Sequence, residues 1–159
     1  MAQTIQISSS KNIFLFTASL VMIFLVSSCT TRKSAFLTST VVPAAQGNVK
    51  IKKDGNNNYA IKIDLVNLAG PDKLQPAKKT YVVWIETAGN GIKNIGQIKT
   101  SSSFLSKKLK ASFQTVSSFN PVKVYITAED DASILYPSGV TVLSTNSFYK
   151  VIRSNIQVG

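Results

Sequence analysis

Residues 59–65 read YAIKIDL, a segment in which apolar side chains alternate with small or charged ones. Because successive side chains of a β-strand point to opposite faces, this period of two predicts a strand with one buried face. Residues 49–52, VKIK, alternate in the same way, and Asp54-Gly55 followed by three asparagines separates the two segments. Gly and Asn adopt positive φ angles readily, so we predict a β-hairpin over residues 49–65.

The apolar run YVVWI at residues 81–85 is short enough for a strand and has no polar face. Odd-numbered side chains of this run would face one way and even-numbered ones the other. Such a run is typical of a strand that is covered on both faces, in the middle of a sandwich. We therefore interpret Trp84 as a core residue rather than as a platform for a ligand.

Further strands are predicted at residues 92–100, 105–115, 122–128 and 140–143, with an edge strand at 148–152. Gly96 interrupts the first of these and predicts a bulge or a close approach of another segment. Residues 68–79 contain two prolines and are predicted to form a long loop. Short strands separated by frequent turns, about seven or eight of them, predict an all-β fold: a single immunoglobulin-like two-sheet sandwich. We assign it to residues 47–153, followed by a C-terminal tail at 154–159.

The composition excludes several kinds of chemistry. The chain has 159 residues, 18 Lys and Arg against 7 Asp and Glu, a net charge of +11, no His and one Cys. Without His it can form neither a Ser-His-Asp triad nor a Cys-His pair, nor a His-ligated metal site. One Cys cannot form an internal disulfide or a Cys-rich zinc site. We predict a non-enzymatic protein with no catalytic residues, no metal and no cofactor.

The N-terminal region has the pattern of a targeting signal. Lys11 precedes an apolar run at residues 13–26, IFLFTASLVMIFLV. This run is shorter than the roughly 20 residues that a membrane-spanning helix needs, but it is typical of the apolar region of a signal peptide. We exclude the region from the fold.

The motif Val26-Ser27-Ser28-Cys29 resembles the lipobox of bacterial lipoproteins. The resemblance implies that residues 1–28 are a cleaved signal peptide and that Cys29 carries the lipid. Residues 29–46, rich in Ser, Thr and Ala, would then be the lipidated Cys and a flexible tether. An ordinary cleavable signal and an uncleaved membrane helix are the alternatives. Thr30, where Asp would favour inner-membrane retention, indicates an outer-membrane protein facing the periplasm, if the source is Gram-negative.

A second resemblance rests on residues 81–84 (YVVW), 91–98, 124–129 (VYITAE) and 137–139 (PSG). Together they resemble the extracytoplasmic β-sandwich domain of anti-sigma-K factors. The cytoplasmic helical domain and the full membrane span of that family are not expected in this sequence. The resemblance therefore implies a fold and not anti-sigma activity, and no functional residue is carried over.

The charged residues give weak functional signals. Lys50, Lys52 and Lys62 fall on the outer positions of predicted strands, where a solvated sheet face is the ordinary interpretation. No nucleic-acid motif accompanies the lysines, so a nucleic-acid partner is not expected. The segment Glu129-Asp130-Asp131 is interpreted as a solvated loop rather than a calcium site. Ser147 and Lys150 have the Ser-x-x-Lys spacing, but in an extended segment they would point to opposite faces.

These observations predict a lipid-anchored protein of the cell envelope, held to the membrane by its N-terminal lipid. The expected function is that of a non-enzymatic binding or scaffolding module with an unidentified partner. One alternative is a basic surface that binds an anionic envelope polymer or a membrane. A second alternative, implied by the anti-sigma resemblance, is an accessory component of envelope signalling.

Overall fold

A computed structural model describes residues 31–89, 91–98 and 109–148 of the chain. The described residues form two antiparallel sheets of four strands, in the orders β1-β2-β3-β6 and β5-β4-β7-β8. A single 3-10 turn lies at Pro71–Lys73. The strands are β1 Thr31–Ala35, β2 Gln46–Lys53, β3 Tyr59–Val66, β4 Thr80–Thr87, β5 Gly91–Ile98, β6 Lys110–Ser117, β7 Pro121–Glu129 and β8 Val140–Ser144. The predicted all-β two-sheet sandwich is confirmed.

The connections between the sheets follow the immunoglobulin type. In that fold the strand pair B and E lies in one sheet, and the pair C and F lies in the other. Here β3 pairs with β6, β4 pairs with β7, and the chain passes from β3 to β4 and from β6 to β7 between sheets. These four strands therefore correspond to B, E, C and F.

The core lies between the two sheets and is built from the residues that the period of two selects. From the first sheet it takes Val49, Ile51, Ile61, Ile63 and Leu65, each at most 2% exposed. The odd-numbered residues of the run at 81–85 cover them from the second sheet. Removing this apolar surface from water is the main force that holds the sheets together.

The predicted hairpin between β2 and β3 is confirmed at its turn. The carboxylate of Asp54 accepts hydrogen bonds from the backbone N–H groups of Asn56 at 2.9 Å and Asn58 at 2.8 Å. Asn57 has a φ of 63°, a left-handed conformation that Asn tolerates better than most residues. This turn fixes the register of the hairpin, with Lys50 opposite Lys62.

Both interpretations of Gly96 are confirmed. The register of β4 against β5 shifts so that Val83 pairs with Gly96 and Trp84 with Asn94, which leaves one extra residue in β5. Gly96 has a φ of +133°, and a Cβ atom there would lie 2.9 Å from Cε2 of Phe113. The bulge thus depends on a residue without a side chain.

The predicted flexible tether is wrong for residues 31–46. β1 pairs with β2 along its whole length, from Thr31 opposite Lys52 to Ala35 opposite Asn48. The physical reason is that an edge strand is held by backbone hydrogen bonds, so it needs no alternating apolar pattern. Residues 31–46 therefore belong to the sandwich, which was predicted to begin at residue 47.

The segment between β1 and β2 also belongs to the domain. Val42 and Ala45 are buried in the core. The hydroxyl of Ser39 accepts a hydrogen bond from the backbone N–H of Val42 at 2.9 Å, and Ser39 itself is 5% exposed. Serine here closes a local turn, so a composition rich in Ser, Thr and Ala did not indicate flexibility.

The interpretation of residues 129–131 as a solvated loop is wrong for Glu129. It is the last residue of β7 and only 1% exposed, whereas Asp130 and Asp131, which follow it, are exposed.

The signal peptide, Cys29, residues 105–108 and the predicted strand and tail beyond residue 148 lie outside the described residues. No helix in the described part of the chain is long and apolar enough to cross a membrane.

Candidate functional site

Three lysines lie side by side on the outer face of the first sheet. Lys33 of β1 is directly opposite Lys50 of β2, and Lys50 is directly opposite Lys62 of β3. All three are exposed. Because paired residues on antiparallel strands have Cβ atoms about 4.5–5.5 Å apart, their charges form a line across three strands. We call this line the lysine row.

The surroundings of the lysine row are also basic. Lys52 lies two residues from Lys50 on the same face, and exposed Lys110 is the first residue of β6, the strand beside β3. Asp64 lies on this face too, with its carboxylate 3.8 Å from the Lys62 ammonium, and it accepts a hydrogen bond from the hydroxyl of Ser112 at 3.1 Å. One exposed carboxylate at that distance offsets little of the positive charge.

The lysine row is costly for the fold by itself. Like charges directly opposite each other on neighbouring strands are destabilising. A surface that aligns them attracts anions and raises their local concentration. The arrangement is therefore suited to a partner with several negative groups.

Lys50 and Lys62 were interpreted from the sequence as part of a solvated sheet face and not as members of a site. The turn at residues 54–58 was a signal that could have placed Lys50 opposite Lys62. Lys33 could not have been added, because it was assigned to the tether. The strand β1 that contains it has no residue classed as buried, so no apolar pattern indicates it.

A second polar cluster lies on the outer face of the second sheet. The indole N–H of Trp84 donates to the hydroxyl oxygen of Thr127 at 2.8 Å, and that hydroxyl donates to Glu129 Oε1 at 2.6 Å. The other carboxylate oxygen accepts from the hydroxyl of Ser138 at 2.9 Å. Trp84 and Thr127 are fully buried. This chain of hydrogen bonds joins two strands to the loop that follows β7.

The carboxylate of Glu129 is held in its ionised form. Burial alone would raise its pKa, but hydrogen bonds from the Thr127 hydroxyl, the Gly139 N–H and both the hydroxyl and N–H of Ser138 lower the pKa below the ordinary glutamate value. Donors aimed at a carboxylate favour its charged state. The cluster therefore supports structure, because every donor in it is already used by Glu129 or by Thr127.

The loop at residues 130–139 is fixed over this cluster. The side-chain amide of Asn94 donates to the carbonyl oxygens of Ala132 and Ile134, both at 2.9 Å. Ala132 and Ile134 pack against the cluster of Val82, Trp84 and Tyr125. At the tip of the loop, Leu135 and Tyr136 are 77% and 74% exposed. The loop thus presents two large apolar side chains on a rigid support.

Comparison with family models, with curated proteins and with solved structures found no match to this chain. The resemblances to bacterial lipoproteins and to anti-sigma-K factors therefore stay predictions.

The other predicted positions have separate roles in the structure. Trp84 is buried as predicted, although it lies under the loop at 130–139 and not between the sheets. Asp130 forms an ion pair with Lys78 at 2.6 Å, and Asp131 accepts hydrogen bonds from Ser133. Within residues 31–89, 91–98 and 109–148, no group of three His, Cys, Asp or Glu residues could hold a metal ion. Cys29 and Lys150 lie outside these ranges.

Proposed function

We propose that this protein is a lipid-anchored, non-enzymatic binding module of the bacterial cell envelope, and that its lysine row binds an anionic envelope polymer. The observation that carries the proposal is the register of Lys33, Lys50 and Lys62. Neighbouring strands are about 4.8 Å apart, so the row offers cations at a regular spacing. A polymer with repeated carboxylate or phosphate groups can engage several of them at once, whereas a small anion cannot.

The proposed location is the periplasmic face of the outer membrane. It follows from the lipobox at Val26-Ser27-Ser28-Cys29 and from Thr30 after it. Two or three acyl chains hold a protein far more durably than one, since each buried CH₂ contributes about 0.8 kcal/mol. An anchored domain would meet the polymer at the membrane surface.

The anchor is tested by metabolic labelling of the full chain with a palmitate analogue. We expect wild-type protein to incorporate the label and to sediment with membranes, and Cys29→Ala to lose both properties. Ser28→Ala is the matched control, because alanine next to the cysteine keeps the lipobox, and it should be labelled like the wild type. Label that persists in Cys29→Ala would disprove the anchor.

The lysine row is tested by binding to dextran sulfate, a soluble polyanion, over a range of salt concentrations. Replacing Lys33, Lys50 and Lys62 together with Gln should weaken binding at least tenfold at low salt. Because each lost ionic contact removes about 0.7 from the slope of log K against log salt for a flexible polyanion, the slope should fall by about two. The measurement is fluorescence anisotropy of labelled polymer.

The matched control removes the same charge elsewhere. Lys73, Lys78 and Lys79 lie on or beside the loop between β3 and β4, away from the lysine row. Their joint replacement with Gln should leave most of the binding intact. Equal losses in the two triple variants would show that net charge alone is responsible, which would contradict a defined site.

A second candidate function is binding of a protein partner through the loop at 130–139. The observation that favours it is the exposure of Leu135 and Tyr136 on a loop that Asn94 and Glu129 hold in place. Tyrosine on a rigid support is a frequent centre of binding energy at protein interfaces. Binding that survives high salt and is lost in Tyr136→Ala would favour this function over the first.

A further inference from the structure

Basic and aromatic residues lie together at one end of the sandwich, which we call the near end. It contains Thr31, where β1 begins, together with the turn at 54–58 and the loop at 118–120. The structure joins these parts: Thr31 pairs with Lys52, Tyr59 pairs with Ser117, and the guanidinium of Arg32 donates to the side-chain oxygen of Asn120 at 3.3 Å. We propose that the near end rests on the surface of an anionic lipid bilayer. This inference relies on the proposed lipid at Cys29.

The reach of the chain between Cys29 and β1 is short. Only Thr30 separates Cys29 from Thr31. Two residue steps span at most about 7 Å, whatever conformation they adopt. Because β1 is paired from Thr31 onward, the Cα atom that bears the lipid would lie within that distance of the first strand. The near end is therefore the part of the domain that an anchored protein brings closest to the membrane.

The near end carries more basic than acidic residues. Lys52 and Lys53 end β2 at the near end, and Lys93 lies near the start of β5 on the same side. The carboxylates at this end have partners: Asp54 accepts from the backbone of its own turn, and Glu86 pairs with Lys123 at 3.3 Å. Basic residues close to an anionic membrane surface strengthen binding to it. The near end is thus complementary to acidic headgroups.

An aromatic ring also lies at the near end. Phe119 lies in the loop at the near end, is 37% exposed, and has the ammonium of Lys93 5.2 Å from its ring centroid. Val116 is 65% exposed nearby, and both residues line a cleft of about 360 Å³ between β5 and β6. A lysine side chain can pack its methylene groups against apolar side chains and keep its ammonium group in water. Such a surface is suited to the boundary between lipid headgroups and acyl chains.

The orientation has a consequence for the lysine row. With the near end on the bilayer, the strands stand upright and the row across them runs parallel to the membrane. The outer face of the first sheet is then free to contact a polymer alongside. Docking uses the near end and polymer binding uses the lysine row, so one domain can do both.

The test uses the lipidated protein, purified from membranes and reconstituted into vesicles of phosphatidylethanolamine and phosphatidylglycerol with brominated acyl chains. Two reporters are made, Phe119→Trp at the near end and Tyr136→Trp on the loop that joins β7 and β8 at the opposite end. Parental protein, with buried Trp84 as its single Trp, provides the baseline. Bromine quenches tryptophan only at short range.

We expect bromolipid to quench the added emission of Phe119→Trp and to leave that of Tyr136→Trp unchanged. Adding Lys53→Gln and Lys93→Gln to the first reporter, or replacing phosphatidylglycerol with phosphatidylcholine, should reduce the quenching. Protein that sediments with the vesicles while Phe119→Trp stays unquenched overturns the docking and leaves the anchor standing. Quenching of Tyr136→Trp instead would also overturn it. Protein that does not sediment with vesicles would overturn the anchor and the docking together.

Discussion

Replacing Trp84 with alanine is expected to lower the free energy of unfolding by about 3–5 kcal/mol. The indole is fully buried beneath the loop at 130–139, with its ring 6.4 Å from that of Tyr125 in a stacked arrangement. Alanine would leave a cavity there and would remove the hydrogen bond to Thr127. The measurement is urea-induced unfolding followed by circular dichroism, since Trp84 is the single tryptophan of the chain.

Trp84→Phe separates packing from hydrogen bonding. Phenylalanine keeps an aromatic ring in the same space but has no N–H group to donate to Thr127. Because Thr127 still donates to Glu129, we expect loss of the indole hydrogen bond to lower the free energy of unfolding by about 1 kcal/mol. The smaller ring of phenylalanine should lower it further. A loss below about 1 kcal/mol in Trp84→Ala would contradict the burial of this side chain.

Glu129→Ala is expected to lower the free energy of unfolding by about 3 kcal/mol, because it leaves the buried hydroxyl of Thr127 and the donors of Ser138 and Gly139 without their acceptor. Asp130→Ala is the matched control one residue away. The Asp130 side chain forms an ion pair with Lys78 and is 59% exposed. Exposed ion pairs contribute at most about 1 kcal/mol to the free energy of unfolding. Equal effects of the two substitutions would contradict the role of Glu129.

The same carboxylate makes stability depend on pH. Since the folded protein holds the pKa of Glu129 below its ordinary value, the ionised group stabilises the fold fully above about pH 4.3. That contribution is lost as the pH falls through the lowered pKa. Glu129→Gln cannot ionise, so the difference in unfolding free energy between wild type and this variant should shrink as the solution is acidified. A difference that stays constant from neutral to acidic pH would show that the charge of Glu129 does not stabilise the fold.

The core of the fold could be predicted from the sequence, because a strand with one buried face has an apolar residue at every second position. The alternation at 59–65, the apolar run at 81–85 and the Gly96 bulge each depend on the local side chains, and the structure confirms all three. Strand β1 could not be predicted in this way. It is held through backbone groups, and its side chains TRKSA carry no apolar pattern.

The lysine row could be predicted only in part, for the same reason. Its register depends on which strands are neighbours, and that depends on contacts between distant parts of the chain. Glu129 shows a related limit. An acidic triplet suggests a solvated loop, yet the Thr127 hydroxyl and the N–H groups near Ser138 compensate the burial of one of its members. Such compensation depends on groups that only the folded chain brings together.

Strand β1 has a mechanical consequence for an anchored protein. Force applied to the lipid would act first on Thr31, the first residue of β1. The side chains of this edge strand are half-buried or exposed. Its backbone bonds would part before any interior packing is disturbed, since edge segments open at lower free energy than central ones. Lys33 would leave with the separated strand, so tension on the lipid would shorten the line of cations and weaken the proposed binding of a polymer while the rest of the sandwich stays folded.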